Sequence, residues 1–589
     1  MISRRHLLQG TAVAAGAAVT TWGGVDAAQA APGRLTNLAH LRFLLDEVPL
    51  RADAVHTTWQ VAQRPVARAP WTYADALPGG GWKRVGGGSY DPVTGHWGQG
   101  AYNADDIARA AVVFVRDWET TGSAQSRSDA VELLRTLTFL QDASGPYAGL
   151  VVLWLQADGT LTPSAQPTEL PDPSDSDESY WVARLLWALG EAYAAFRTRD
   201  PAFAGFLRER FLLALGALEQ RSLSRYGRWD IADDVRVPSW LIQDGADATA
   251  EAVLGLAAFA TVDPQPRVRT ALSQYAEGVA AMGSGGTGTW PFGAVLPWTH
   301  SQSLWHAWGG EAPQALCRAS AVLGDGGLRQ AALADVGSFT PVLLASRGPY
   351  NAWSPMPGEA QIAYGAEGRV SGLLAAADLT GSAGFLQLGG LAGGWFFGAN
   401  PSGRPAYDPA TGATVDGIEF DGRVNPNSGA ESTIHGLLAM LALDAHPTAA
   451  ALARSITGYD CAGAAGSGGG VRRARRRRSR GHATVGLDGR GQLVSGRVCR
   501  CATRRFGARA GHRSRWRVGA SGDRAAGRRP GHEHLHRDRR SRSAPPARHA
   551  RQWWAAPDRR GRDRRIVATV PPPDPTATRH SRGRDHHDR

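Results

Sequence analysis

About a dozen stretches of this chain repeat apolar residues at every third or fourth position, the spacing that predicts α-helices. Their connections are rich in proline, glycine and aspartate, and only residues 150–155 fit a buried strand as well as part of a helix. We therefore predict an all-α fold. The helical stretches are residues 35–48, 105–119, 128–141, 178–197, 202–219, 246–259, 267–282, 303–322, 328–345, 359–379, 385–397 and 431–443.

The number of these segments predicts how they are arranged. A dozen helices joined as antiparallel pairs fit six helical hairpins closed into an (α/α)6 toroid. Residues 248–260 and 370–377 are apolar nearly all round, as expected of the inner helices of a closed double ring. An open stack of hairpins is the alternative, but the chain lacks the fixed-period repeat of helical solenoids.

The first 30 residues have the pattern of an export signal. Arg4 and Arg5 precede an apolar run, and Ala28-Gln29-Ala30 fits a small-x-small cleavage site. The paired arginines favour the twin-arginine route, and the run is short for an uncleaved membrane anchor. We predict a secreted protein with no membrane association after signal removal, in which residues 31–456 form the folded domain.

The last part of the chain differs sharply from the rest in charge. The net charge is +12, yet residues 471–589 hold 34 arginines and 9 acidic residues, so the remainder is acidic. Residues 457–589 lack sustained apolar periodicity and predict a disordered basic tail. Arginine runs suit a polyanion-binding arm. However, Lys83 is the single lysine, which indicates GC-rich coding DNA, and a frameshift in such DNA would yield the same residues. We favour the frameshift and predict no nucleic-acid partner.

Residues 422–443 hold the strongest candidate for catalysis. A stretch of glycine, proline and asparagine leads into a helix, so Glu431 lies in the first turn, where a loop meets a buried helix. His435 follows one turn later on the same face. Ser428 and Glu431 also have the spacing of a capping box, in which the carboxylate would only bond to the backbone. Both interpretations stay open on these residues alone.

A second acidic group opens the first long helix. Asp105 and Asp106 follow a loop rich in glycine and aromatic residues, which suits a general base acting on water. Asn103 as N-cap, with Asp106 three residues later, is the structural alternative.

A third acidic group, between residues 172 and 178, includes Asp175 and Asp177. Several carboxylate oxygens could ligate a structural calcium ion there, although acids before a helix more often oppose its dipole. Apart from this ion we predict no cofactor and no metal.

Tryptophan is frequent, with 20 residues, many of them where loops meet predicted helices. An indole presents a broad apolar face that stacks on sugar rings while polar neighbours bind the hydroxyls. Core packing explains each tryptophan taken alone, but as a set beside Asp, Asn, His and Gln they favour a carbohydrate cleft. The predicted sugar-binding residues are Trp97, Tyr102, Asn103, Trp181, Trp240, Trp298, His300, Trp305, His306, Trp353 and His435.

Three motifs together resemble the six-hairpin glycosidases, and within them the family-9 glycoside hydrolases, over about residues 80–445. They are Asn103-Ala-Asp105-Asp106, Trp395-Phe-Phe-Gly-Ala-Asn400-Pro401 and Asn427-Ser-Gly-Ala-Glu431. The resemblance implies that Glu431 is the catalytic acid and that Asp106, with Asp105, is the base. Asn103 replaces the first aspartate of the family loop, the family's His-His-Arg segment is absent, and three residues separate Asn427 from Glu431. The resemblance therefore implies a fold but not a substrate.

These features lead to the hypothesis of a secreted, monomeric glycoside hydrolase that acts on a polysaccharide or oligosaccharide with inversion. Glu431 would protonate the glycosidic oxygen while Asp106 takes a proton from water on the opposite face of the sugar. Two other classes stay open. One is a polysaccharide lyase or sugar epimerase on the same toroid, using a couple drawn from Tyr350, Tyr364 and His300. The other is a non-catalytic glycan-binding protein.

Overall fold

The structure is a computed structural model that describes residues 33–162, 177–346, 348–350 and 360–456, and the backbone of 352–353, 457–462, 471–476, 482–487 and 493–494. All of these belong to Met1–Thr503, the first of the two compact units into which the chain divides. The predicted export signal lies outside the described residues. Within the described part, no helix has the length and apolar character needed to cross a membrane.

Fourteen α-helices form nearly half of the described structure. They are α1 (Ala39–Leu44), α2 (Ala104–Thr121), α3 (Ala124–Leu140), α4 (Tyr180–Phe196), α5 (Pro201–Gln220), α6 (Ala246–Val262), α7 (Pro266–Ala281), α8 (Ala312–Leu323), α9 (Gly326–Ala334), α10 (Thr340–Ser346), α11 (Ala363–Thr380), α12 (Ala383–Gly393), α13 (Ala430–Asp444) and α14 (Pro447–Ser455). A π-helical turn, Asp335–Phe339, joins α9 to α10.

Six of these helices form a closed inner ring. α2 packs against α4, α4 against α6, α6 against α8, α8 against α11, α11 against α13, and α13 against α2. Each inner helix is followed by an outer helix that packs on it, in the order α3, α5, α7, α9, α12 and α14. The predicted all-α fold, an (α/α)6 toroid of six hairpins, is confirmed.

The start of the described chain bridges the junction between the last and first inner helices. Arg34 pairs with Asp117 on α2 at 2.6 Å and lies 3.4 Å from Asp444 on α13. Asp444 also accepts hydrogen bonds from the backbone amides of Leu35 and Thr36, at 2.8 and 3.0 Å. This N-terminal clasp, residues 34–36, therefore ties the two ends of the ring together.

Short antiparallel strands accompany the helices of the ring. They are β1 (Leu45–Pro49), β2 (Val66–Pro70), β3 (Tyr73–Ala76), β4 (Trp82–Val85), β5 (Tyr102–Asn103), β6 (Trp154–Leu155), β7 (Leu161–Thr162), β8 (Trp229–Ala232), β9 (Val235–Pro238), β10 (Trp305–His306), β11 (Ala352–Trp353), β12 (Gly417–Ile418) and β13 (Val424–Asn425). β5, β6 and β7 form one three-stranded sheet, and the others pair in consecutive order as two-stranded ribbons.

A further antiparallel sheet lies at the start of the predicted tail. Its strands, in spatial order, are β14 (Ile456–Ala462), β15 (Val471–Arg476), β16 (His482–Leu487) and β17 (Leu493–Val494). The predicted boundary at residue 457 thus falls inside a strand, in a region where the sequence shows no sustained alternation. The rest of the predicted tail lies outside the described residues, and its disorder stays a prediction.

Two predicted helical segments differ from the observed elements. Residues 35–48 were expected to form one helix but contain short α1 followed directly by β1. Residues 303–322 become helical only at Ala312, because Trp305 and His306 pair with residues 352–353 as a strand. The twelfth helix of the ring is instead α14, whose nine residues were too short for the periodicity to reveal.

Two glycines set the spacing between α4 and α6. A Cβ on Gly190 would meet the carbonyl oxygen of Gly255, and a Cβ on Gly255 would meet the carbonyl oxygen of Leu186, both well inside van der Waals contact. These backbones therefore touch, and the inner ring is tightest at this crossing.

Gly190→Ala is expected to destabilise the fold by about 3 kcal/mol, because backbone atoms cannot yield as a flexible side chain can. Gly205→Ala is the matched control, since its Cβ would meet nothing within 4 Å on the outer helix α5. That change should stabilise by roughly 0.5–1 kcal/mol through helix propensity. Urea unfolding of the two variants measures both effects, and equal midpoints would contradict the close crossing.

Candidate active site

Charged side chains collect inside the ring near the starts of the inner helices. They lie in the first two turns of inner helices, or just before one, and so gather at one end of the ring. Burying charges is unfavourable unless they are paired, so their mutual contacts define the candidate site. The residues are Asp105, Asp106 and Arg109 on α2, Arg184 on α4, Asp247 and Glu251 on α6, Glu311 before α8, Glu367 on α11, and Glu431 and His435 on α13.

Arg109 joins the two predicted catalytic carboxyls. Its Nη2 donates to Asp106 Oδ1 at 3.0 Å and lies 3.7 Å from Glu431 Oε2. Its Nη1 donates to His435 Nε2 at 3.0 Å. Because Nη2 of Arg109 faces both carboxyls, Asp106 Oδ1 and Glu431 Oε2 cannot lie farther apart than its distances to them, 3.0 and 3.7 Å, added together.

The two carboxyls differ in access and in protonation. Asp106 is 2% exposed, and its second oxygen accepts from the Asn103 amide at 2.7 Å. The Glu431 side chain is 29% exposed, so it reaches the space inside the ring. Burial raises the pKa of Asp106, and it raises the pKa of Glu431 to about 7 against the opposing effect of Arg109. Glu431 can therefore hold a proton near neutral pH.

The two capping alternatives have different outcomes. Asn103 is the N-cap of α2, since its side-chain oxygen accepts from the Asp106 amide at 2.7 Å. Glu431 is in no capping box. Gly429 precedes α13 without a side-chain cap, the Ser428 amide donates to the Ala74 carbonyl, and the Ser428 hydroxyl accepts from the Thr414 amide. Glu431 is thus free to face Arg109.

Arg184 organises a second group of side chains around the same space. Its guanidinium pairs with Asp105 Oδ2 at 2.5 Å and Glu251 Oε2 at 2.7 Å, and donates to the Tyr364 hydroxyl at 3.3 Å. Tyr364 in turn donates to Glu251. The Asp105 side chain is 20% exposed, and its Oδ1 has no hydrogen-bond partner among the described residues.

Glu311, Glu367 and His435 are the one group in the described part of the chain that could hold a metal ion, with ligand atoms within 4.8 Å of one another. Arginine only donates, so His435 Nε2 must accept from Arg109, and a neutral ring then carries its proton on Nδ1. Burial lowers the pKa of His435 to about 4, which keeps the ring neutral. Nδ1 donates to Glu367 at 3.2 Å and has no lone pair for a metal. The contacts favour a hydrogen-bonded chain over a metal site.

His306 and Asp247 form a second buried acid–base pair. His306 Nε2 lies 3.5 Å from Asp247 Oδ2, and its Nδ1 donates to the Trp308 carbonyl at 2.9 Å. Burial raises the pKa of Asp247 to about 7 and lowers that of His306 to about 3. Half-buried aromatic rings surround the pair. Trp308 stacks on His306 at 3.5 Å, and Tyr180 donates to Asp247 at 3.1 Å while accepting from Trp298.

Several predicted sugar-binding residues lie in the core instead. Trp181, Trp240, Trp305 and Tyr102 are at most 2% exposed, and the indoles of Trp181 and Trp240 donate to backbone carbonyls. A sugar-binding role does not fit their burial, because their ring faces are already covered by protein. Asn103 is likewise buried and occupied as the α2 cap.

The other predicted sugar-binding residues divide by location. Trp97 and Trp298 are half-buried. The His300 side chain is 69% exposed and lies 3.4 Å from Asp244. His306 and His435 belong to the site but are themselves buried. Only the backbone of Trp353 is described, paired with Trp305.

The predicted calcium ligands receive little support. Asp177 pairs with Arg221 at 3.1 Å, and its side chain is 58% exposed. Asp175 lies outside the described residues. The calcium ion stays a prediction.

Six of the ten site residues were not predicted from the sequence, namely Arg109, Arg184, Asp247, Glu251, Glu311 and Glu367. A usable signal existed for Arg109, Arg184 and Glu367, because each is a charge with Ala, Gly or Leu on both sides inside a predicted helix. Such a charge has to find a partner within the ring, as each of these does. Glu311 was missed for another reason, since it lay inside a segment predicted to be continuous helix.

No protein-family model matches this chain, and no curated protein matches it. Several solved structures are similar in fold. A sugar epimerase from a ruminal bacterium is 13% identical, with a TM-score of 0.44 over 58% of this chain and 87% of that chain. An inactive variant of an α-1,6-mannanase of Salegentibacter sp., in complex with α-1,6-mannotriose, is 11% identical, with a TM-score of 0.38 over 58% of this chain and 90% of that chain. A family 9 endoglucanase is 14% identical, with a TM-score of 0.38 over 66% of this chain and 81% of that chain. At these identities the likeness concerns the fold alone.

Proposed function

We propose that this chain is a carbohydrate-active enzyme, and specifically a glycoside hydrolase whose acid is Glu431. The observation that carries the proposal is the pairing of Glu431 and Asp106 across one nitrogen of Arg109. Glycosidic bond cleavage needs one carboxyl that holds a proton and another that does not. A partly exposed Glu431 whose pKa is about 7, beside an aspartate pair, supports that division of labour.

The base is assigned to Asp105, with Asp106 as its support. Asp106 is nearly inaccessible, and both of its oxygens are occupied by Asn103 and Arg109. Asp105 has the greater exposure, Arg184 holds its Oδ2 at 2.5 Å, and its covered Oδ1 has no hydrogen-bond partner among the described residues and is available to a water that enters the site. A water bound by Asp105 would lose its proton as it attacks the anomeric carbon, while Glu431 protonates the departing oxygen. This differs from the sequence-based assignment of the base to Asp106.

The distance between the carboxyl groups of the acid and the base decides whether the reaction inverts or retains the anomeric configuration. Inverting enzymes need about 6.5–9.5 Å between the two carboxyls to admit a water, whereas retaining enzymes have about 5–5.5 Å. The contacts of Arg109 bound only the separation between Glu431 and Asp106, so they do not decide the outcome for a base at Asp105. Inversion stays a prediction, as do export, the monomeric state and the absence of a cofactor.

A sugar epimerase or a lyase is the second candidate, and His306 is what favours it. Its Nε2 has no hydrogen-bond partner among the described residues and is the unprotonated nitrogen of a neutral ring. Such a nitrogen can take a proton from carbon. His306 is 1% exposed, however, so this reaction needs the surrounding tryptophans to move, and the hydrolase is preferred.

The test is turnover by the purified full chain on neutral and acidic polysaccharides, their oligosaccharides and aryl glycosides. We expect new reducing ends, and the anomer of the first product, followed by proton NMR, reports inversion or retention. Isomerised sugar without new reducing ends would replace the proposal with an epimerase, and an unsaturated product absorbing in the ultraviolet would replace it with a lyase. Binding without turnover of any substrate in the panel would contradict the proposal that this chain is an enzyme.

A further inference from the structure

A line of buried side chains leads away from Arg109 across three inner helices. Arg109 donates to His435 Nε2 at 3.0 Å, and His435 Nδ1 lies 3.2 Å from Glu367 Oε2. The other oxygen of Glu367 accepts from the Ser371 hydroxyl. Beyond Glu367 lies Glu311, which is 0% exposed. The groups beyond Arg109 are each at most 3% exposed.

Neither oxygen of Glu311 meets a hydrogen-bond donor within the part of the chain that the structure describes. Its neighbour is another carboxyl, and two carboxyls form a hydrogen bond only if one of them carries a proton. Glu367 already accepts from His435 and Ser371, as an ionised carboxylate does. The proton therefore belongs to Glu311. Consistent with this, burial and the adjacent Glu367 raise the pKa of Glu311 well above its usual range.

The orientation of His435 follows from the two groups on either side of it. Glu367 accepts only, so it faces the N–H at Nδ1, and Arg109 donates only, so it faces the lone pair at Nε2. If Glu367 lost its charge, the imidazole could carry its proton on Nε2, where it would oppose Arg109. The position of Arg109 between Asp106 and Glu431 thus depends on the charge of Glu367.

We propose that Glu311 and Glu367 share one proton and act as positioning residues. Glu311 would be the neutral partner that donates to an ionised Glu367, which fixes the Nδ1–H form of His435 and presents Arg109 to Asp106 and Glu431. The consequence for catalysis rests on the proposed function, whereas the arrangement of protons does not.

Two matched substitutions separate the roles of the glutamates. Glu311→Gln keeps the chain intact, because the amide N–H₂ donates to Glu367 as the acid proton did. Glu367→Gln breaks it, because an amide offers one accepting oxygen where three donors converge. Glu191→Gln is the control, since Glu191 is a paired glutamate on the inner helix α4 that binds Arg116 and Trp187 and not Arg109.

Nitrogen-15 NMR of histidine-labelled full chain reads the His435 tautomer directly, with His435→Asn to assign the signals. We expect Nδ1–H in the unaltered chain, in Glu311→Gln and in Glu191→Gln, and loss of that form in Glu367→Gln. A protonated-carboxyl infrared band that disappears in Glu311→Gln would support the shared proton. Nε2–H in the unaltered chain would overturn the proposal even if Glu367→Gln fails to fold.

The metal alternative is tested in the same samples. Added Zn²⁺ that raises the unfolding temperature of the unaltered chain but not of Glu311→Gln, and removes the Nδ1–H signal, would overturn the proposal in favour of a metal site. An unfolding temperature unchanged by Zn²⁺ and by EDTA is the expected result.

The catalytic consequence is a change in the pH profile. Arg109 lowers the pKa of Glu431, which also faces Asp106, Arg184 and Asp416, so a displaced Arg109 should raise that pKa. The alkaline limb of kcat in Glu367→Gln would then move upward by about one pH unit, with no movement in Glu191→Gln. If the His435 tautomer changes in Glu367→Gln while the alkaline limb of kcat stays in place, the proposed link from Glu367 through Arg109 to Glu431 is wrong. If the unaltered chain has no turnover, the proposed function fails while the NMR result still decides the proton arrangement.

Discussion

Glu431→Gln is expected to lower kcat on unactivated glycosides by about a thousandfold, within the range that a lost general acid typically costs. The amide keeps the size of the side chain but cannot protonate the departing oxygen. Substrate binding should change little, because the amide keeps the size and hydrogen-bonding capacity of the partly exposed Glu431 side chain. Steady-state kinetics on oligosaccharides and equilibrium binding to the same ligands measure the two effects.

The pH dependence supplies a second, independent readout of the same change. Glu431 acts only while protonated, and its pKa is about 7, so the activity of the unaltered chain should fall as the pH rises through about 7. That limb should be missing from the residual activity of Glu431→Gln. Glu419→Gln is the matched control, because Glu419 is exposed in the loop that precedes α13.

Aryl glycosides with a very acidic leaving group provide the sharpest contrast. Their departing oxygen needs no proton, so Glu431→Gln should retain most of its activity on them, whereas Asp105→Asn should not. Equal losses on activated and unactivated substrates would remove Glu431 from the role of acid.

Arg109→Met is expected to destabilise the fold by about 3–5 kcal/mol, because it leaves Asp106 charged and unpaired inside the ring. The Arg109 side chain is 2% exposed, and its partners Asp106, His435 and Glu431 lie on two inner helices. Chemical unfolding measures the loss, and hydrolysis should fall as well, because Glu431 loses its positioning cation.

Two comparisons make this prediction specific. Arg267→Met breaks an ion pair with Glu219 whose side chains are 43% and 35% exposed, and it should cost about 1 kcal/mol or less. Adding Asp106→Asn to Arg109→Met should recover part of the loss, since the uncompensated charge is then gone. Strictly additive losses would show that Arg109 acts through packing rather than through Asp106.

The ring was predictable because each inner helix has to be apolar nearly all round. Residues 248–260 and 370–377 display this directly, and the caps at Asn103 and Ser179 mark where helices begin. Helix α14 was not predictable, since nine residues give too few turns for a period to emerge. The strand at Trp305 depends on a partner far along the chain, which periodicity cannot detect.

The proposed catalytic carboxyls could be nominated from loop and helix signals, but the different surroundings of the two aspartates could not. Asp105 and Asp106 are adjacent in sequence, and their difference in exposure arises from Asn103, Arg109 and Arg184 folding around them. Which tryptophans are exposed could not be predicted for a related reason. Trp181 and Trp298 were both predicted to lie where loops meet helices, and only the packed ring decides which indole is covered.

The N-terminal clasp at residues 34–36 bears on how the chain reaches its folded state. Arg34 bridges Asp117 and Asp444, so the circle is completed only when segments more than three hundred residues apart in the chain meet. Contacts of such long sequence separation form late in folding because of the entropy lost in closing the intervening loop. Until the clasp forms, the apolar residues on the facing sides of α2 and α13 stay exposed to solvent and can associate with other exposed apolar surfaces. A chain still emerging from the ribosome therefore cannot close the ring before α13 has been synthesised.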